Sequence, residues 1–156
     1  MRKGRRIAID VGTVRIGLAV SDDQGILASP LPFTTRSSEV SATVMKLVDV
    51  AQRYEAIEIY VGEPIALDGL VTQSTVDARG VAQELAKMSN VPVRLIDERF
   101  TTVSASSKLR DAGVNSKDAK SLIDSASAVE ILENALHIER RTGRLPGQLV
   151  GDSIGA

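Results

Sequence analysis

The chain has no cysteine and a single histidine, His137. That excludes disulfides, thiolate zinc sites and multi-histidine clusters, so any bound metal must be held by oxygen. His137 itself, near the end of the last expected helix, reads as a helix-terminal or surface residue rather than a catalyst. Aromatic residues make up only 3%, and Phe33, Tyr54, Tyr60 and Phe100 lie well apart in sequence, which speaks against a base-stacking platform. No stretch of 18 apolar residues occurs, and Met1-Arg2-Lys3-Gly4-Arg5-Arg6 leads into the first apolar segment without a signal-type run. A cytoplasmic protein without a membrane partner is the expectation. Neither sign of charge dominates, the net value being -1, whereas a dedicated nucleic-acid binder usually carries a basic surplus. The distribution is more informative: residues 1–36 hold six basic against three acidic groups, and the acidity concentrates in residues 37–92, with four against eight. Basic side chains can still gather around a site built from the two ends of the chain.

What is present is an ordinary globular composition. Of 156 residues, 43% are hydrophobic and 25% charged, enough for one domain with a real core. Apolar segments ending in turn residues predict strands at 6–11, 16–21, 26–33, 57–62 and 93–98. Pro30 and Pro32 make the third an edge strand. Helical spacing appears after Ser38, through Val40, Val44, Leu47 and Ala51, and again over 72–89 through Ala78, Val81, Ala82 and Leu85. Two further helices are predicted at 101–112 and 117–140, the second opened by Ser116 as N-cap. Residues 1–141 thus form the expected domain, and 142–156, rich in glycine, a mobile tail. The order of elements implies an α/β fold: a mixed five-stranded sheet, an antiparallel meander followed by parallel strands, with helices on both faces.

Three carboxylates stand out. Asp10 closes an apolar strand before Gly12-Thr13; it is either a site residue or the cap of that turn. Asp97 and Glu98 end another strand and point to opposite faces, so only one can share the surroundings of Asp10, and periodicity does not choose between them. Asp124 interrupts a helix whose main apolar stripe is Leu122, Ala126, Val129, Leu132 and Leu136. It lies instead on a line of mostly small residues with Ser127, Ala128, Ile131 and Ala135. Small residues imply close approach to another element, where a carboxylate must be paired, hydrogen-bonded or bound to a cation. Acids from two strand ends and a helix would suit Mg²⁺ or Mn²⁺, which share substrate phosphate oxygens and serve phosphodiester hydrolysis. Arg15, Arg99, Lys108 and Lys117 are candidate phosphate contacts, with plain solvated surface as the alternative.

Asp10-Val11-Gly12-Thr13-Val14-Arg15-Ile16-Gly17-Leu18-Ala19-Val20-Ser21-Asp22 closely resembles the opening motif of the YqgF family, also called RuvX. Val61-Gly62-Glu63-Pro64 with Asp68-Gly69, Asp97-Glu98-Arg99-Phe100-Thr101-Thr102, and Ile123-Asp124-Ser125-Ala126-Ser127-Ala128 resemble its later motifs, in order. The resemblance implies a ribonuclease-H-like fold related to Holliday-junction resolvases. It also implies a nuclease that matures the 5′ end of pre-16S rRNA or cuts branched DNA, as monomer or homodimer. By motif position it implies metal-ligand roles for Asp10, Glu98 and Asp124, and so favours Glu98 over Asp97. The sequence departs from the family pattern at Glu63, Ala66-Leu67 and Ser127, which bears on loop contacts rather than on the acids. Two rival readings are a non-catalytic nucleic-acid-binding module and an actin-like or sugar-kinase-like ATP-binding protein. The latter would need a second lobe, and no second Asp-x-Gly segment is repeated here.

Overall fold

A computed structural model of the chain describes residues 1–100 and 125–151. The expected helix at 101–112, the first part of that at 117–140, and with them Lys108, Lys117 and Asp124, lie outside the described residues. Alternating Ile7 and Ile9 against Ala8 and Asp10 build strand β1, Arg6–Val11. It pairs antiparallel with β2, Arg15–Ser21, which pairs antiparallel with β3, Ala28–Thr35. On its other side β1 runs parallel to β4, Glu58–Glu63, and β4 parallel to β5, Val93–Asp97. The meander followed by parallel crossovers is therefore present, with β3 at an edge.

Among the described residues the sheet has six strands rather than the expected five. Gln148–Leu149 forms β6, antiparallel to β5 in the order β3-β2-β1-β4-β5-β6. This strand falls within the segment expected to be a tail, and Val150 beside it is buried. Strand β3 also starts two residues later than its apolar run. Asp22 Oδ1 accepts hydrogen bonds from the N–H groups of Ile26 and Leu27 at 2.7 and 3.0 Å, which holds both in the turn, and their side chains are exposed.

Helices cover both faces. Helix α1, Val40–Arg53, buries Thr43, Val44, Leu47 and Ala51. Helix α2, Gln73–Met88, starts at a capping box in which Thr72 and Thr75 each accept the other's backbone N–H, and it buries Ala78, Val81, Ala82 and Leu85. These two helices enclose one core with Ile7, Ile9, Ile59, Val61 and Val93. Helix α3, Ala126–Thr142, lies on the opposite face with Ala8, Ala19, Tyr60 and Ile96. Its packed side is Ala128, Ile131, Leu132, Ala135 and Leu136, whereas Val129 is only partly buried. Ala128, Ile131 and Ala135 of the line of small residues are thus set against the sheet together with Ala126, Leu132 and Leu136 of the expected main stripe, whereas Ser127 is exposed. Ala128 and Ala135 let the helix approach closely.

Candidate active site

Strand alternation decides which side chains meet. Ala8 belongs to the α3 face of the sheet, so Asp10, two residues on, projects to that face as well. Ile96 is on the same face, and the parity continues to Glu98, the first residue of a 3₁₀ turn spanning Glu98–Phe100. Between β1 and β5 runs β4. Ile9 pairs with Val61, and Gly62 with Ile96, so Gly62 comes level with the end of β1. Neighbouring strands lie about 4.8 Å apart, which leaves about 9.6 Å between β1 and β5. The glycine at the centre leaves that space open, and Glu98 leans into it: a Cβ added at Gly62 would lie 2.9 Å from the Glu98 carboxyl carbon and from its Oε1, and would overlap Ile131 Cδ1.

The electrostatics bear out this proximity. Burial raises the carboxyl pKa of Asp10 above its ordinary value. Glu98 is pushed up to about 7, first by burial, then by the negative charges of Asp10, Asp97 and Glu130. Asp97 goes the other way. Arg99 donates to it from Nε at 3.1 and 3.0 Å and from Nη2 at 2.7 Å, and holds its carboxyl below the usual range. The adjacent acids therefore have separate roles: Asp97 in an ion pair, Glu98 in a half-buried site beside Asp10. Among the described residues no three carboxylates or histidines form a metal-binding group. Asp10 and Glu98 supply two sets of oxygen donors.

The remaining candidates divide. The Arg99 guanidinium is engaged by Asp97, 3.8 Å from a Cβ added at Gly69. Arg15 lies over the ring of Phe33, 5.0 Å from its centroid. Glu63, a departure from the family pattern, is buried and accepts from Arg79 Nε at 2.6 Å, so the loop contact is met by a partner on α2.

Two residues were missed by sequence reasoning. Glu130, on α3, acts on Glu98 through its charge; one acid among several on a helix gave no signal. Ser125 is wholly buried, accepts from Leu18 N–H at 3.0 Å and donates to Leu31 C=O at 2.5 Å. It thereby fixes the start of α3 at the β2–β3 irregularity between Ile16 and Leu18, one residue from Gly17, the partner of Asp10 in the β1–β2 pairing. Its place within Asp124-Ser125-Ala126 was the available clue.

A mixed sheet in the order β3-β2-β1-β4-β5-β6 with helices on both faces has the ribonuclease-H-like fold. The fold agrees with solved structures of RuvC from Thermus thermophilus. RuvC in complex with its junction substrate matches at a TM-score of 0.63, with 16% identity over 94% of this chain and 99% of that one. The chain belongs to the RuvX family, described as Holliday junction resolvase, whose model matches residues 4–138. A relative from Clavibacter michiganensis is 47% identical over 96% of this chain and 93% of its own length. One from Streptomyces avermitilis is 48% identical over 95% of each. Both bear the name "Putative pre-16S rRNA nuclease".

Proposed function

We propose that the chain is a divalent-metal-dependent nuclease that hydrolyses phosphodiester bonds in structured nucleic acid, with Asp10, Glu98 and Asp124 as its working carboxylates. Precursor 16S rRNA is the first candidate substrate, from the names of the relatives, and branched DNA the second, from the family. The observation that carries the reading is the Glu98 carboxyl set against Gly62 and within reach of the charge of Asp10, both acids half-buried with raised pKa. Like charges gathered out of water are costly unless a cation joins them.

Hard carboxylate oxygen donors fit Mg²⁺ or Mn²⁺ rather than a softer metal. A bound divalent ion supplies positive charge to a phosphodiester and lowers the pKa of coordinated water. Asp10 and Glu98 would hold it from the sheet. Asp124 would complete the set: it is one peptide bond from Ser125, which is anchored between β2 and β3. Arg15, Arg99, Lys108 and Lys117 are then peripheral phosphate contacts, Arg99 with its charge moderated by Asp97.

The test is cleavage of a pre-16S rRNA fragment and of a four-way DNA junction in Mg²⁺ or Mn²⁺, wild type beside Asp10→Asn. The wild type should cut at least one, and the variant should lose about 100-fold or more. Equal rates would place the chemistry elsewhere. ATP turnover without cleavage would favour the ATP-binding alternative, and EDTA-resistant binding without cleavage the non-catalytic one.

A further inference from the structure

A cleft of about 540 Å³ opens where β1 and β3 end and α2 begins, with Thr13, Val14, Arg36, Ser38, Ser74 and Asp77 among its walls. It is at the same end of the sheet as Asp10, on the face covered by α1 and α2. Thr13 is three residues from Asp10, at most about 10 Å along the backbone.

The chemistry of the walls restricts the occupant. Arg36 is the cation of the cleft, and it is already engaged. Its Nη1 donates to Asp77 Oδ2 at 2.7 Å and to Gly12 C=O at 3.1 Å, and its Nη2 to Asp77 Oδ1 at 3.1 Å. That bidentate pair cancels the charge a phosphate would require, and ties up the carboxylate a metal ion would require. What the walls still present are exposed hydroxyls at Thr13, Ser38 and Ser74, the amide of Gln73, and the exposed apolar side chain of Val14. Such a surface both donates and accepts hydrogen bonds, carries no net charge and has one apolar wall. It suits a sugar with its base. The volume lies in the range of small-ligand pockets, about 300–1,000 Å³, and takes one nucleoside rather than a base pair.

We propose that this cleft receives a single unpaired nucleoside of the substrate strand, two or three positions from the phosphodiester engaged by the acids and reached round the end of the sheet. The occupant's belonging to a substrate strand rests on the nuclease reading; the preference for an unpaired, uncharged nucleoside rests on the cleft itself. With about 3.4 Å of rise per nucleotide in a stacked strand, the distance from Asp10 corresponds to two or three positions.

The experiment measures fluorescence anisotropy of labelled oligonucleotides with the full chain. The probes are an RNA duplex carrying a three-nucleotide single-stranded end and the same duplex with blunt ends. Wild type should bind the overhang probe about tenfold more tightly. Ser74→Trp, at an exposed position on the α2 wall, should remove that preference while leaving blunt-duplex binding unchanged. Ser38→Trp, on the opposite wall, serves as the independent second variant, and circular dichroism checks that each is folded. An equal preference in wild type and a folded Trp variant overturns the proposal, as does a wild type with no preference. Asp10→Asn separates the two readings. If it keeps the overhang preference and loses cleavage, both stand; if the preference depends on the cleft but wild type cuts nothing, the nuclease reading fails alone.

Discussion

Gly62 owes its identity to its neighbours across the sheet. Any side chain there meets the Glu98 carboxyl and Ile131 Cδ1. Gly62→Ala should therefore destabilise the fold by about 1–3 kcal/mol, the usual cost of overpacking, and displace Glu98 from Asp10. Denaturant unfolding together with calorimetric Mg²⁺ titration would show both effects; an alanine variant as stable and as metal-competent as wild type would remove the glycine from the account. Glu98 carries a pH signature of its own. Because its folded pKa is raised to about 7 from an ordinary 4.5, the folded protein keeps a proton that the unfolded chain releases between those values. Its contribution to stability is complete below pH 4.5 and lost as pH rises through 7. With allowance for partial exposure, about 2 kcal/mol is at stake in metal-free protein. In EDTA, Glu98→Gln should flatten the decline between pH 5 and pH 8. A slope equal to that of wild type would mean the carboxyl is not perturbed. The parity of Asp97 and Glu98 was legible in the sequence. Which parity belonged with Asp10 was not legible from periodicity, because it is fixed by the register of β1 and β5 across β4; the family resemblance alone favoured Glu98.

Among elements, the start of α3 matters most to the site. Ser125 satisfies a buried strand N–H and a strand C=O with one hydroxyl. Ser125→Ala should cost about 2–3 kcal/mol, since both groups lose their partner out of water, and should weaken metal binding by releasing the segment that carries Asp124. Calorimetry would check this against Ser127→Ala, on the exposed side of the same helix, which should change neither. Strands β1, β2, β4 and β5 were legible because Ile and Val runs there end in turn residues. Helices α1 and α2 and the body of α3 were legible from their apolar spacing, but the described start of α3 has Ser125 at its N-cap, not the expected Ser116. Strand β6 was not, because two residues carry no period. Nor was the late start of β3, where the hydrogen bonds of Asp22 outweigh the apolar character of Ile26 and Leu27. On α3 the packed side joins Ala126, Leu132 and Leu136 of the expected apolar stripe to Ala128, Ile131 and Ala135, a wider face than the stripe alone indicated.

Across the whole molecule, the end of the α3 face opposite the acids is closed by charge. Glu139 of α3 accepts from Arg6 Nη2 at 2.9 Å and from Arg2 Nη2 at 2.5 Å. Glu58 of β4 is shared between Arg2, at 2.7 Å, and Arg94 of β5, at 3.0 Å. Burial pushes the Glu139 carboxyl up, but Arg2 and Arg6 override it and hold the pKa at about 2. This is the reverse of Glu98: the Glu139 contribution is present above pH 4.5 and disappears as pH falls through about 2. Glu139→Ala would leave Arg6, fully buried, without its carboxylate, and should cost about 3–5 kcal/mol at neutral pH. A loss below 1 kcal/mol in urea unfolding would show that the network is dispensable.

The short return of the chain at Gln148–Leu149 has an outcome beyond the domain itself. It occupies the free hydrogen-bonding side of β5, and it can do so because Gly147 takes φ +68° against the Leu95 carbonyl, where any other side chain would collide. At the far margin, Pro30 and Pro32 lack the N–H groups that an incoming strand would need. Both margins of the sheet thus carry stoppers, so association of two molecules by merging their sheets is disfavoured, and crowding should leave the protein dispersed instead of seeding fibrils.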